Sequence, residues 1–374
     1  MASGYVAYSA ECRGPSGPSP LHLAVRACKI DTVRKLLEAG TDLEAKDDSG
    51  NTPLIDATLE GFVPAVTALL DARADVNAAD NGGITVLIHA SGDGRMGIVA
   101  QLLTARADVN AEIPGGGTAL FFAAQESHIS VLEQLLRARA DVGGPAIDES
   151  GSSPLYMAAQ NGPTAAVQSL LAARACVNHA TPDGATPVYI ASQEGNTGSL
   201  KLLLQARGGV DSTMCDGSSS VAVAAMHGRE DTLKVLLEAR ASVNLVMDHG
   251  ETALHSAAAQ PTHTSILKHL LAARAELMAR TSDGVTPLHL AALGNHTEAV
   301  PELIAARAEV DASSNGATPL HVALSNSHLG PTQELLRARA SLTAKTSTGH
   351  NALAIAQVTG NLEIQSLLKS WDVK

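Results

Sequence analysis

Apolar residues fall into short clusters that recur about every 33 residues from near residue 19 to the end of the chain. Residues 284–311, GVTPLHLAALGNHTEAVPELIAARAEVD, contain one full cycle. The apolar run at 288–292 predicts a short helix, Gly294-Asn295 break it, and apolar residues at helical spacing predict a second helix over 298–306. Neither helix is long enough to bury a core alone. Neighbouring cycles must therefore stack on one another.

The landmark of each cycle is the Thr, or its equivalent, of the Thr286-Pro287-Leu288-His289 motif. Thr can cap a helix by accepting a backbone N–H, and Pro fits the first helical position. Equivalent positions fall at 19, 52, 85, 118, 153, 186, 219, 252, 286, 318 and 351. We therefore predict an all-α array of eleven helix-turn-helix pairs over residues 19–371. A flexible lead-in rich in Gly, Ser and Pro (1–18) precedes it, and a short end (372–374) follows.

These motifs resemble the ankyrin repeat, whose signature is G-x-T-P-L-H-x-A-A, then L-L, then G-A-D-V-N. The match is clearest in SPLHLA at 19–24, TPLHLA at 286–291 and TPLHVA at 318–323, and in ADVN at 74–77 and 107–110. The resemblance covers about residues 19–371. It implies a solenoid of stacked helix pairs with β-hairpin-like loops, and a role as a non-catalytic protein-interaction scaffold.

Three local irregularities interrupt the period. The link through 143–148 is two residues longer than the others, and one residue is inserted near 260–263. Pro301 falls in the first turn of a second helix, so we expect that helix to begin a few residues late.

One departure from the family pattern is systematic. The family places Gly after the second helix, where the chain turns with positive φ. Here only Gly40 keeps it, and Arg occupies positions 73, 106, 139, 174, 207, 240, 274, 307 and 339. A non-Gly residue in that conformation costs roughly 1 kcal/mol. We therefore expect either a rebuilt turn or a partner for the Arg.

An acid lies two residues after the Arg in five repeats and is the natural candidate for that partner: Asp75, Asp108, Asp141, Glu276 and Glu309. Two interpretations of the repeated Arg stay open. It is either inherited from a founder repeat that was copied, or it forms an anion-binding ladder suited to an anionic membrane surface.

Composition narrows the classes of partner and the compartment. A net charge of −12 and 2% aromatic residues argue against nucleic-acid binding, which uses basic surfaces and stacking aromatics. No uncharged apolar segment approaches 18 residues, and no signal-peptide pattern is apparent. The four cysteines (Cys12, Cys28, Cys176, Cys215) form no C-x-x-C pair. We expect a monomer in a reducing compartment, cytoplasmic with the nucleus left open.

The motifs that could indicate a catalytic, cofactor or metal site are better explained as parts of the repeat. Residues 92–97, GDGRMG, match G-x-G-x-x-G, but they span a turn between two short helices and not a βαβ unit. The family resemblance implies a structural role for the histidines of the TPLH motif, which lie too far apart for one zinc ion: His22, His255, His289 and His321. We therefore expect no enzyme activity, no cofactor and no metal site.

The resemblance implies partner binding on the concave side, through loop tips and the exposed ends of the first helices. The predicted partner-binding residues are Glu60, Asp93, Gln125, Glu126, Gln160, Asn161, Gln193, Glu194, Met226 and His227. The four acids among them predict an acidic stripe over repeats two to six, which favours a protein partner with a basic patch. A merely solvated polar face is the alternative for this stripe. A regulatory or substrate-recruiting subunit of a phosphatase or ubiquitin-ligase complex is the alternative function.

Overall fold

The computed structural model of the protein describes residues 17–143 and 151–372. Most of the predicted lead-in, Cys12, the lengthened link at 144–148 and the last two residues lie outside the described part. The chain divides into two compact units, residues 1–182 (unit 1) and 183–374 (unit 2).

Both units are built from α-helices, which confirms the predicted all-α fold. Short first helices alternate along the chain with second helices that are mostly nine residues long. Unit 1 contains α1 (Pro20–Arg26), α2 (Ile30–Glu38), α3 (Pro53–Leu59), α4 (Val63–Asp71), α5 (Val86–Gly92), α6 (Met96–Thr104), α7 (Ala119–Gln125), α8 (Ile129–Arg137), α9 (Pro154–Asn161) and α10 (Thr164–Ala172). Unit 2 contains α11 (Pro187–Glu194), α12 (Thr197–Gln205), α13 (Ser220–Met226), α14 (Glu230–Glu238), α15 (Ala253–Ala258), α16 (Thr264–Ala272), α17 (Pro287–Leu293), α18 (Ala299–Ala305), α19 (Pro319–Ser325), α20 (Leu329–Arg337), α21 (Ala352–Thr359) and α22 (Leu362–Asp372).

The first helices begin where the Thr-Pro landmark predicts. The hydroxyl of Thr52 accepts the N–H of Ile55, and Pro53 occupies the first helical position. The hydroxyl of Thr118 accepts the N–H of Phe121 in the same way. These caps satisfy backbone donors that a helix start would otherwise leave unpaired.

The core of each unit grows by stacking like on like. First helices pack against the first helices of neighbouring repeats, and second helices pack against second helices. Leu54 on α3 and Leu69 on α4 are fully buried, as are Leu132 and Leu135 on α8. Each second helix thus buries one apolar stripe, and no helix pair is stable without its neighbours.

The loops between repeats are hairpin-like, and side chains join each loop to the next. Isolated antiparallel bridges pair Ala79 with Thr85 and Thr213 with Ser219. The side chain of Asn77 accepts the N–H of Asp108 at 2.8 Å, about one repeat further on. Equivalent bonds recur within each unit, from the N–H of Asp75 to Glu44, of Asp141 to Asn110, of Ser242 to Asp211, of Glu276 to Asn244 and of Ser341 to Asp311.

The Arg turns keep the left-handed conformation and are not rebuilt. All nine Arg residues have φ between 62° and 75° and are exposed. At the end of α6 the N–H of Arg106 donates to Leu103 O and the N–H of Ala107 donates to Leu102 O. This crossed pair of bonds is the Schellman arrangement, which requires positive φ at the Arg position.

The expectation that this Arg pairs with the acid two residues later is wrong. Within the described residues, no ion pair joins the Arg at 73, 106, 139, 274 or 307 to the acid two residues later. The carboxylates are engaged elsewhere: Asp75 accepts the N–H of Asn77, Asp108 accepts that of Asn110, and Glu309 pairs with Arg280 at 3.2 Å. A short acid that begins a turn bonds its own backbone two residues on, and this local bond competes with the guanidinium.

Two irregularities of unit 2 follow their sequence signals. Helix α18 begins at Ala299 and has seven residues, which confirms the delay expected from Pro301. Helix α15 ends at Ala258 after only six residues, next to the inserted residue. The side chain of His296, which lies in the turn before α18, is 7% exposed and has no hydrogen-bond partner within the described residues.

Candidate partner-binding surface

The ten predicted partner-binding residues all lie at the C-terminal ends of first helices. In unit 1 they end α3, α5, α7 and α9, and in unit 2 they end α11 and α13. The structure thus places them at equivalent positions of successive repeats. Whether a partner contacts them stays a prediction.

In unit 1 the acidic side chains reach solvent, but a guanidinium lies among them. Glu60, Asp93 and Glu126 are exposed C-cap residues. Arg95 donates from Nη2 to the carbonyl of Leu59 at 3.1 Å, and its Nε lies 3.9 Å from Asp93 Oδ2. The predicted acidic stripe is therefore partly neutralised between its first two members.

The remaining predicted residues of unit 1 are more tied down. Gln125 is half-buried and donates from Nε2 to Glu126 Oε1 at 3.0 Å. Asn161 is exposed and donates from Nδ2 to the carbonyl of Gln125. Gln160, beside it on α9, is half-buried. Glu126 is thus held by its neighbour and remains open to a partner on its other side.

In unit 2 the predicted residues include both polar and apolar side chains. Gln193 and Glu194 are half-buried, and Gln193 Nε2 donates to Glu194 Oε1 at 3.0 Å. Met226 is 41% exposed at the end of α13. The exposed His227 donates from Nδ1 to the carbonyl of Val223 at 3.0 Å.

A set of side chains that sequence reasoning missed fixes these helix ends from the next repeat. Arg95 caps the Leu59 carbonyl, His128 Nε2 donates to Gly92 O at 2.9 Å, and Arg229 Nε donates to Gln193 O at 2.9 Å. Each cap sits 36 residues beyond its acceptor, directly after the turn residue of its own repeat. The signal was present in the sequence as a polar residue after the turn, but its target lies one repeat back.

A close approach explains one of the turn glycines. Gly94 has φ 69°, and a Cβ placed there would lie 2.6 Å from the ring of His128. Glycine thus serves both the backbone conformation and the capping ring that lies over it.

The four TPLH histidines hold the fold and do not form a site. Nδ1 of His289 accepts the Thr286 hydroxyl and N–H at 2.8 and 3.2 Å, while Nε2 donates to Ala317 O of the next repeat at 3.1 Å. His22, His255 and His321 make equivalent bonds. This arrangement requires a neutral ring. Burial lowers the pKa of His255, His289 and His321, and the bond to the carbonyl offsets this only in part.

The junction of the first two repeats carries a buried ionic network. Arg26 pairs with Asp56, which is 3% exposed, at 2.6 and 3.0 Å, and also pairs with Asp47. The hydrogen bond to Asp56 raises the pKa of Arg26. Burial raises the pKa of Asp47, but the Asn51 N–H and the Arg26 guanidinium lower it by more. The network locks α1 to α3 and leaves no reactive group open.

The described residues bear on two further kinds of feature, a metal-binding cluster and a membrane-spanning helix. Across 17–143 and 151–372, no group of three or more His, Cys, Asp or Glu side chains is arranged to hold a metal ion. None of the helices in this part of the chain combines the length and apolarity needed to cross a membrane.

Comparison with known families settles which repeat this is. A family model described as ankyrin repeats (3 copies) matches residues 5–80, 143–216, 198–281 and 257–346, well over half of the sequence. The chain belongs to the ankyrin repeat family. Ankyrin repeats generally serve as protein-interaction modules and are generally non-catalytic. The exact number of eleven repeats remains a prediction.

A solved ankyrin structure supports the same family and fold. The crystal structure of the human ASB11 ankyrin repeat domain is 27% identical, with a TM-score of 0.54. The match covers 58% of this chain and 97% of that domain. Comparison with curated protein sequences gives no match.

Proposed function

We propose that the protein is a non-catalytic interaction scaffold whose partner binds the helix-end surface, defined by the ten predicted residues at the ends of the first helices. The observation that carries this proposal is that the side chains that hold the repeats together differ from those exposed at the helix ends. The repeated Thr, His and Asn side chains bond within and between repeats, whereas the side chains of Glu60, Asp93 and Glu126 stay exposed at a position that holds other residue types in later repeats. Exposed side chains at such a position are the ones through which repeats can discriminate partners.

The expected partner is a protein that presents Lys or Arg to this surface. Complementary charge speeds association and rejects partners of the wrong sign. Arg95 and Arg229 limit the negative charge, so apolar and hydrogen-bonding contacts must supply most of the affinity.

A pull-down with charge-reversal baits tests the proposal. The first bait is the full chain, and the second carries Glu60→Lys, Glu126→Lys and Glu194→Lys. A matched control carries Glu38→Lys, Asp71→Lys and Glu238→Lys, exposed acids of second helices with the same distribution over the two units. All three must show the same helical circular dichroism and melting.

The proposal expects proteins that are retained by the first bait and the control and lost by the second. An identical catch from all three baits would refute the helix-end surface. Assaying the retained material for phosphatase or ubiquitin-transfer activity distinguishes a free-standing scaffold from a subunit of an enzyme complex.

Anionic membrane binding through the Arg row is a lesser candidate, favoured only by the exposure of the nine guanidiniums. Acids of the same turns lie beside them and reduce the local positive potential. It predicts salt-sensitive sedimentation with vesicles of phosphatidylserine and phosphatidylcholine that is lost when Arg139, Arg174 and Arg207 become Gln. Vesicles ignored at low salt would refute it.

A further inference from the structure

Exposed apolar side chains mark one position of the first helices in unit 2. Met226 on α13, Leu293 on α17 and Val358 on α21 are 41%, 50% and 81% exposed. The small residues Ala259 and Ser325 occupy this position in the repeats between them. The row therefore offers a large apolar contact at every second repeat. The equivalent position holds Leu59, Gly92, Gln125 and Gln160 in unit 1 and Gln193 in the first repeat of unit 2, and none of these is an exposed apolar side chain.

The apolar character continues one helical turn earlier on α17, α19 and α21, whereas the equivalent Val223 of α13 is buried. Leu290, Val322 and Ile355 lie three residues before that position and are only half-buried. Residues three apart share one helix face, so each pair widens the apolar strip. Nothing in the described part of unit 2 covers the exposed members of this strip.

The loop tips of the same unit carry a parallel row of carboxylates. Asp183, Asp216, Asp248 and Asp283 are all exposed and occur once per repeat. Their loops are bonded in sequence: Cys215 N–H donates to Asp183 O at 2.8 Å, and Asp248 N–H donates to Asp216 O at 2.9 Å. The hydroxyl of Ser314 donates to Asp283 O at 2.7 Å. The backbone of each tip is thus joined to the next, and every tip carries one exposed carboxylate, with Asp248 one residue earlier in its loop than the other three.

Towards the C-terminal end of unit 2, the row of first helices and the loop tips border one depression. A cavity of about 350 Å³ is lined by Ser325 of α19, by Ile355, Val358 and Thr359 of α21, and by the loop residues Thr346, Thr348 and His350. A segment lying here contacts apolar side chains on one side and a loop tip on the other. Because successive repeats share one architecture, we expect the same relation between Met226 or Leu293 and the Asp-bearing tips before them.

We propose that this surface, the unit 2 groove, binds a basic amphipathic segment of a partner protein. The groove comprises the exposed apolar residues of α13, α17 and α21 and the carboxylates at 183, 216, 248 and 283. The segment's apolar face packs on Met226, Leu293 and Val358, and its Lys or Arg residues face the four Asp. This proposal rests on the proposed scaffold function and names the chemistry of the partner on unit 2.

Charge complementarity selects this occupant over others. An acidic segment would meet four like charges, and a purely apolar segment would leave four carboxylates partly desolvated without partners. From the tip before α11, which carries Asp183, to α21 the groove crosses five helix spacings of about 8–10 Å each. A helix of about 30 residues, which rises about 1.5 Å per residue, covers that distance.

The test uses the full chain and a fluorescein-labelled helical peptide of about 30 residues, made of Leu and Lys with one apolar stripe. A scrambled peptide of the same composition and an analogue with Glu for Lys serve as probe controls. Binding is measured by fluorescence anisotropy at 0.15 M salt, where screening weakens purely diffuse attraction to an acidic protein.

Two groove variants separate the two contacts. One carries Met226→Gln, Leu293→Gln and Val358→Gln, and the other carries Asp183→Asn, Asp248→Asn and Asp283→Asn. Asp216 is left unchanged because its carboxylate holds the N–H of Ser218 at 2.8 Å. Matched controls place the same changes at exposed sites elsewhere, namely Leu23→Gln, Val63→Gln and Met96→Gln, and Glu38→Gln, Asp71→Asn and Glu238→Gln.

The expected result is a loss of affinity of at least tenfold in each groove variant, with less than a twofold change in either control. The amphipathic peptide must also bind at least tenfold tighter than the scrambled and acidic peptides. Equal losses in groove and control variants would overturn the proposal, as would equal binding of the scrambled peptide. A partner captured in the pull-down while groove variants bind the peptide normally would refute the groove alone and leave the scaffold function standing.

Discussion

At the turn position after the second helix, the structure predicts how the stability of the chain depends on whether the residue is Arg, Gly or Ala. We consider Arg73, Arg106 and Arg139 of unit 1 changed together to Gly or together to Ala. Each is exposed, has φ between 66° and 70°, and lies two residues after the end of a nine-residue helix (α4, α6 or α8). Gly relieves the backbone strain and removes the charge, whereas Ala removes the charge and keeps the strain.

The magnitudes follow from three opposing terms. The left-handed conformation costs a non-Gly residue about 1–2 kcal/mol. Gly gives back about 0.4–1 kcal/mol because it enlarges the freedom of the unfolded chain. A cation at a helix C-terminus is worth about 0.3–1 kcal/mol, since the last carbonyls carry partial negative charge. Arg and Gly therefore come out nearly equal, within about 1 kcal/mol per site in either direction. Ala is worse than Arg by about 0.3–1 kcal/mol.

Urea denaturation at low salt measures this order. The triple Ala variant should lose about 1–3 kcal/mol, since the sites lie in separate repeats and their effects add. The triple Gly variant should stay close to the unmodified chain and should be at least as stable as the triple Ala variant. In 1 M NaCl, screening should bring the Ala variant closer to the Arg form. Gly40→Arg, at the one site that keeps Gly and has open space around it, is the reverse control and should be nearly neutral. An Ala variant as stable as Arg at low salt would refute the electrostatic account.

Three further results are expected from buried groups. The pKa values of His255, His289 and His321 are lower in the folded chain than in the unfolded chain, so the free energy of unfolding should be largest above pH 6.5 and should fall as the pH drops below it. Urea midpoints at pH 7.5 and 5.5 check this. Replacing the three histidines with Phe should flatten the pH dependence. Ser220→Pro should stabilise unit 2 by about 1 kcal/mol, because the buried hydroxyl has no described partner and Pro suits the first helical position; a lower melting temperature would contradict this. Arg26→Met should cost about 2 kcal/mol by stranding the buried Asp56 carboxylate, whereas the exposed Arg34→Met should change the urea midpoint little.

The periodic pattern was enough to predict the helices and their turns. The motif at Thr286 placed α17 and α18 within a residue or two, because Thr, Pro and Gly act through local backbone geometry. Positive φ at all nine Arg positions was not predicted, since the strain of a non-Gly residue there favoured a rebuilt turn or a partner for the Arg. The partner expected for the Arg was wrong, because a carboxylate two residues away bonds its own turn first.

The surface could be predicted less completely than the fold. The pattern located the exposed helix ends, but it did not show that Arg95 and Arg229 reach back to them from the next repeat. Such contacts depend on the register between repeats, which a single repeat does not encode. The residues that choose a partner vary between repeats, so periodicity carries no information about them.

The near-cancellation at the Arg turns also bears on how such an array arises. A change that neither weakens nor strengthens its own repeat is invisible to selection on stability. A gene segment carrying it can be duplicated many times without the penalty accumulating, and each new copy inherits the same Arg. On the founder-repeat interpretation, the lone Gly40 marks a repeat that was not copied from the Arg-bearing one.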